Sequence, residues 1–245
     1  MSKDPRVTRL LEIGKENPSP RAHELISALT EEAATLIEEN PFAFTLAAVL
    51  NRGTKAEIIW TIPYYLQKHI GDLEPYSIAN KSVEDLERIL LSLPVKPRYV
   101  TDAPRTLKEL SNLVIREYGG DVTKIWQNKP AHYVKATFQR IHGVGPGIAS
   151  MIVLLLERCF GVQFTDVDHR NMDVKPDVHI IRVFHRLGLI SELNQKKALE
   201  AARRLNPEYP GALDLPTWII GKKWCTPFAP QCQNCPLTEV CSKII

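Results

Sequence analysis

Apolar residues recur every three or four positions along most of this chain, the period of helices that bury one face. Such runs occupy 25–37, 42–50, 58–70, 107–118, 134–141, 149–160, 178–187, 198–205 and 215–224. Strict alternation is scarce, and Arg98-Tyr99-Val100-Thr101 is the only extended candidate. Breakers separate the runs: Asn17-Pro18-Ser19-Pro20, Asn40-Pro41, Gly119-Gly120, Gly143 to Gly147, Asn206-Pro207 and Pro210-Gly211. The pattern predicts an all-α protein with short connections. One connection, 162–176, is longer, polar and rich in aspartate.

Composition changes this picture little. The chain has 245 residues, 44% hydrophobic and 24% charged, enough for one large domain or two modest ones. A net charge of +3 permits a nucleic-acid partner without requiring one. No segment approaches the roughly 18–20 apolar residues of a membrane helix. The longest apolar run, near 148–156, reads as a buried helix. The first twenty residues carry no hydrophobic signal region, so a cytoplasmic protein is expected, associated with the nucleoid in a prokaryote.

Candidate chemistry is concentrated in three motifs. Cys225, Cys232, Cys235 and Cys241 fall within the last 21 residues, spaced C-x6-C-x2-C-x5-C. Clustered thiolates suit zinc or an iron–sulfur cluster in a reducing compartment. Only Cys232 and Cys235 form a short zinc-type pair, which favours the bulkier group. Cys159, on an apolar helix, reads as a core residue. The second motif, IHGVGPGIA at 141–149, sets glycines and a proline between two helical runs. Glycine lets backbone N–H groups approach a ligand, and the following helix directs its dipole at a phosphate. A tight turn without a ligand would read the same way. The third, Pro176-Asp177, reads as a helix start with aspartate as N-cap.

Together these motifs resemble the endonuclease III-like group of helix-hairpin-helix (HhH-GPD) DNA glycosylases. All three cysteine intervals match the group's terminal [4Fe–4S] loop. Asp177-Val178-His179-Ile180-Ile181-Arg182-Val183 is similar to its D-x-H-h-x-R-V segment, where h is apolar. The resemblance covers about 40–245. It implies two helical domains flanking a DNA-binding cleft: a six-helix barrel with the hairpin at 40–160, and a cluster domain from 1–39 and 161–245. It further implies a [4Fe–4S] cluster, structural or redox-sensing, on the four cysteines. Asp177 would be the catalytic carboxylate, stabilising positive charge on the sugar as the base leaves. Gly143, Val144, Gly145 and Gly147 would bind DNA. Asn51 or Arg52 would fill the gap left by the flipped base, or this basic turn would only touch a DNA phosphate, and His179 and Arg182 would hold structure by hydrogen bonds. The implied partner of this monomer is double-stranded DNA with a damaged or mismatched base, and no membrane.

The chain also departs from the group's pattern. Bifunctional members carry a lysine where this chain has Gly147, so the resemblance implies a monofunctional glycosylase. Lys175 or another amine could restore lyase activity, and a non-catalytic iron–sulfur DNA-binding protein is the remaining alternative. The 162–176 connection is longer than usual. Its Asp166, Asp168, His169 and Asp173 could bind a divalent cation. The loop Thr226-Pro227-Phe228-Ala229-Pro230-Gln231 has no charge where relatives are basic, and Lys222 and Lys223 precede it.

Overall fold

The computed structural model describes residues 4–17, 22–26 and 29–245, apart from the side chains of His23 and Leu25. Fourteen α-helices follow one another among the described residues: α1 (Pro5–Glu16), α2 (Ala22–Leu25), α3 (Glu31–Glu39), α4 (Pro41–Val49), α5 (Ala56–Ile59), α6 (Ile62–Ile70), α7 (Pro75–Ala79), α8 (Val83–Ser92), α9 (Ala103–Tyr118), α10 (Ala131–Gln139), α11 (Pro146–Phe160), α12 (Val178–Arg186), α13 (Gln195–Leu205) and α14 (Asp214–Lys223). The fold is 60% helix, with no strand among the described residues. The extended candidate at 98–101 is a bend and turn leading into α9. Pro18, Ser19 and Pro20 lie outside the described residues.

Three helices stand where the apolar period pointed to none. Helix α1 starts on Asp4, whose side chain accepts the Arg6 N–H, with Pro5 in the first turn. It buries Val7, Leu10 and Ile13, one residue per turn. Helix α8 has a reciprocal capping box between Ser82 and Asp85 and buries Leu86 and Leu90. Helix α7 is a single turn on Pro75. The apolar faces of α1 and α8 are narrow and interrupted by charge, and α7 is only five residues long, so the period alone is weak.

The chain forms two compact units, Pro20–Thr165 and Met1–Ser19 with Asp166–Ile245. The boundaries differ from the 39/40 and 160/161 breaks read from sequence. Helix α3 packs on α4 and α6 and so belongs to the first unit. Past α11, Val162 N–H donates to Leu156 O and Thr165 N–H to Lys129 O, which holds the chain to that unit as far as 165.

In the Pro20–Thr165 unit, α4 is buried on all sides from Phe42 to Val49 and packs on α3, α6, α9 and α11. A helix apolar all round can only be a core helix. Asn40 starts it by accepting the Phe42 and Ala43 N–H groups at 2.9 and 3.0 Å. In the other unit, Val7, Leu10, Ile180, Val183, Phe184 and Ile220 form the centre of the core. Helix α12 lies so close to α14 that a Cβ on Gly221 would stand 2.8 Å from His179 Cβ. Only glycine allows that approach.

Candidate functional site

The hairpin belongs to the first unit. Ile141 and Ala149 are buried on either side of it, as their spacing predicts. Gly143 has φ +78°, the left-handed region that glycine alone enters cheaply. Val144 is buried and donates its N–H to Ile141 O at 3.0 Å, so it shapes the turn. Gly145, the N-cap of α11, has open space where a side chain would be, and no side chain caps the helix. The first N–H groups of a fifteen-residue helix are thus uncapped by any side chain there, beside an unobstructed backbone. Helix α9 holds the hairpin: Glu109 accepts the His142 N–H at 2.7 Å, and Thr106 Oγ1 donates to His142 O at 2.9 Å.

Asn51 and Arg52 both turn inward onto this hairpin and its helix. Asn51 Nδ2 donates to Met151 Sδ at 3.3 Å. Arg52 Nη2 donates to Thr106 Oγ1 at 3.3 Å, and its Nη1 sits 2.0 Å from where a Gly143 Cβ would be. Gly143→Ala is therefore expected to destabilise the protein by about 1–2 kcal/mol through its backbone alone, and more through displacement of Arg52. A lowered urea midpoint at unchanged slope would show this. An unchanged midpoint would mean that the turn relaxes.

Asp177 belongs to the second unit. It is the N-cap of α12, and its Oδ1 accepts the His179 and Ile180 N–H groups at 2.8 and 3.1 Å. Its other oxygen has no hydrogen bond or ion pair among the described residues. Two residues earlier, Lys175 N–H donates to Asp214 Oδ2 at 2.6 Å, and Lys175 O accepts the Asp177 N–H at 2.7 Å. Burial pushes the Lys175 ammonium below the ordinary lysine range, against the opposing pull of Asp177 and Asp214. Burial likewise lowers the His179 imidazole, which favours its neutral form.

Arg182 and Arg186, one turn apart on α12, tie this helix to the cysteine segment. Arg182 donates to Cys225 O at 2.7 Å, to Gly221 O at 2.8 Å, and meets His179 Nδ1 at 3.1 Å. Arg186 donates to Thr226 O at 2.7 Å and Pro227 O at 2.9 Å, and reaches Cys225 Sγ at 3.5 Å. The structural role expected for His179 and Arg182 matches these contacts.

All four C-terminal cysteines line one recess of about 410 Å³, which includes space open to solvent. Burial raises the Cys235 and Cys241 thiols. Among the described residues, no three His, Cys, Asp or Glu converge closely enough for a single metal ion. Four thiols around a shared recess are soft donors that fit zinc or an iron–sulfur group. Zinc, with sulfurs at about 2.3 Å, would need them drawn together. An iron–sulfur group would be held by Cys225, Cys232, Cys235 and Cys241. Cys159 belongs to the other unit and is half-buried; desolvation pushes its thiol up to about 11, which leaves it a poor nucleophile.

No family model matches the chain. It is 22% identical over 212 residues to the chloroplastic endonuclease III homolog 2 of Arabidopsis thaliana, across 83% of this chain. It spans about half the length of the curated relatives it matches, 48% and 49%. Its fold superposes on endonuclease III in a non-covalent complex with DNA with a TM-score of 0.69 at 20% identity, covering 99% of this chain and 97% of that one. A thermostable thymine-DNA glycosylase gives 0.62 at 18% identity, with 97% and 94% covered. The chain shares the helical fold of endonuclease III and of the thymine-DNA glycosylase.

Two features of this chain were invisible in its sequence. The acidic 162–176 connection is no cation site among the described residues. Asp173 is buried in a two-pronged pair with Arg203 at 2.8 and 2.9 Å. Asp168 pairs with Arg170, which also pairs with Glu208, and His169 stacks on Tyr209 at 4.5 Å. The charge opposite Asp173 comes from Arg203, thirty residues away and too remote to be matched by reading alone, whereas Arg170 lies within the connection itself. The second feature is a group beside the hairpin, Arg98 and Tyr99, which the sequence offered only as a doubtful strand.

Proposed function

We propose that this chain is a DNA N-glycosylase of base excision repair, with Asp177 as its catalytic carboxylate. The divided use of Asp177 carries this reading: one oxygen starts α12, and the other makes no hydrogen bond or ion pair among the described residues. Such a carboxylate is fixed in place yet free to face a sugar. As the glycosidic bond breaks, positive charge grows on C1′, and a fixed anion nearby lowers that barrier. The same oxygen can orient water toward C1′. The base must first leave its stack, and the uncapped N-terminus of α11 with the open Gly145 backbone suits the phosphates of the bent strand. Gly147 offers no amine, which favours hydrolysis and an intact abasic strand. A [4Fe–4S] group on Cys225, Cys232, Cys235 and Cys241 would hold the terminal loop against α12. Mispaired or deaminated bases are the first substrates to try, since a thymine-DNA glycosylase shares the fold.

Duplexes carrying uracil, thymine opposite guanine, adenine opposite 8-oxoguanine, oxidised pyrimidines and alkylated purines test this reading. Strand breaks on one of them that appear only after hot alkali are expected. Silence on all of them would favour a DNA-binding protein without catalysis.

One observation favours a second reading, a glycosylase and lyase acting through Lys175. Its burial beside Asp177 shifts the amine toward the neutral, nucleophilic form. Its nitrogen would bond to C1′ as the base leaves with the glycosidic electron pair. The sugar ring would then open, C1′–O4′ breaking as O4′ takes up a proton that nitrogen has lost, and the Schiff base so formed would lose a C2′ proton and expel the 3′ phosphate. This reading predicts breaks without alkali and a borohydride-trapped adduct that Lys175→Gln abolishes. Trapping should rise with pH and level off below the pH at which an ordinary lysine would. No adduct at any pH leaves hydrolysis alone.

A further inference from the structure

Beside the hairpin, three segments of the Pro20–Thr165 unit meet: the turn after α4, the loop before α9, and the hairpin itself. Tyr99 joins them. Its side chain is 44% exposed, and the Arg52 and Arg98 guanidinium carbons lie 5.4 and 5.7 Å from its ring centre. Arg98 N–H donates to Thr54 Oγ1 at 2.8 Å and its Nη1 to Gly53 O at 3.4 Å, which locks the loop onto the turn. Arg52 occupies the space that any side chain at Gly143 would need.

Neither guanidinium has a carboxylate partner among the described residues; their side-chain partners are Thr106 Oγ1, Gly53 O and the tyrosine face. Two like charges held around one aromatic ring repel each other, and a cation–π contact at an exposed site returns only about 0.5–1 kcal/mol. An anion between or beside them relieves that repulsion and uses the donors still free on both forks. The hairpin next to Arg52 already offers open backbone to a phosphate.

We propose that Arg52 and Arg98, positioned by Tyr99, form a second phosphate clamp that grips the DNA backbone next to the phosphate on the hairpin. The proposal rests on the DNA reading above and adds to it a site the hairpin does not contain. Arg52 then acts as a backbone contact, in place of the gap-filling role expected for it. Tyr99 is a positioning residue, presenting both guanidinium groups on one side of the hairpin.

The test is binding of the 245-residue chain to an undamaged duplex, followed by anisotropy across a salt series. The Arg52→Gln/Arg98→Gln double variant is expected to bind about ten-fold or more weakly at low salt. Its log–log salt slope should be shallower by about 1.8, since each lost phosphate contact removes about 0.9. Tyr99→Leu should weaken binding, and Tyr99→Phe should not. Duplexes with single neutral methylphosphonate linkages supply a readout that needs no variant to fold. At least one linkage should cost the wild-type protein several-fold in affinity and cost the double variant nothing. A wild-type protein that does not bind DNA overturns the DNA reading and the clamp together. Binding with an unchanged slope in the double variant, or linkages that cost both proteins equally, overturns the clamp alone.

Discussion

Asp177→Asn is expected to slow base release by about 10²–10⁴-fold while leaving the urea midpoint nearly unchanged. Asparagine caps a helix about as well as aspartate, so the bonds from His179 and Ile180 N–H survive the change. The negative charge does not survive, and charge is what the developing cation on the sugar requires. Asp177→Ala should instead lose both, with about 1 kcal/mol of stability from the missing cap. Base release under single-turnover conditions, read beside urea unfolding of both variants, separates the two roles. An asparagine variant with wild-type rates would reduce Asp177 to a helix cap.

Cys235→Ala is expected to be the most damaging single change to stability. Cys235 packs against the core of its unit and lines the recess with the other three cysteines. Purified wild-type protein should carry iron and sulfide in equal amounts and absorb visible light broadly. The variant should lose both signals and about 4 kcal/mol or more of stability, the range reached when a structural metal group is lost. That is a large share of a typical 5–15 kcal/mol total. The loss should spread to α12, because Arg182 and Arg186 anchor that helix to Cys225 O, Thr226 O and Pro227 O. Colourless protein with stoichiometric zinc would replace the cluster by a zinc site. Colourless protein with no metal would make the cysteines half-buried core thiols.

The parts of the fold legible in the chain are those set within a turn or two of sequence. The apolar period found the buried α4 and α11, and Asp177 was legible as an N-cap because its partners are two and three residues away. The hairpin was legible for the same reason: Gly143 takes its positive φ and Pro146 starts the next helix within four residues. Helices α1 and α8 escaped, although the caps at Asp4 and Ser82 were there to be read, because charged residues interrupt their faces.

What the sequence by itself determined is helix content, helix ends and the cysteine spacing, since local dihedral preferences and short-range hydrogen bonds fix them. The tertiary structure alone decided which charges are neutralised and which are left over. Asp173 is taken by Arg203, thirty residues away, which removes the acidic loop as a cation site. Lys175 is half-buried, its backbone tied to Asp214, and desolvation lowers its basicity. Arg52 and Arg98 are brought to one tyrosine from segments more than forty residues apart, with no acid to meet them. Coulomb energy and desolvation depend on distance and burial in space, and a linear chain specifies neither until it has folded.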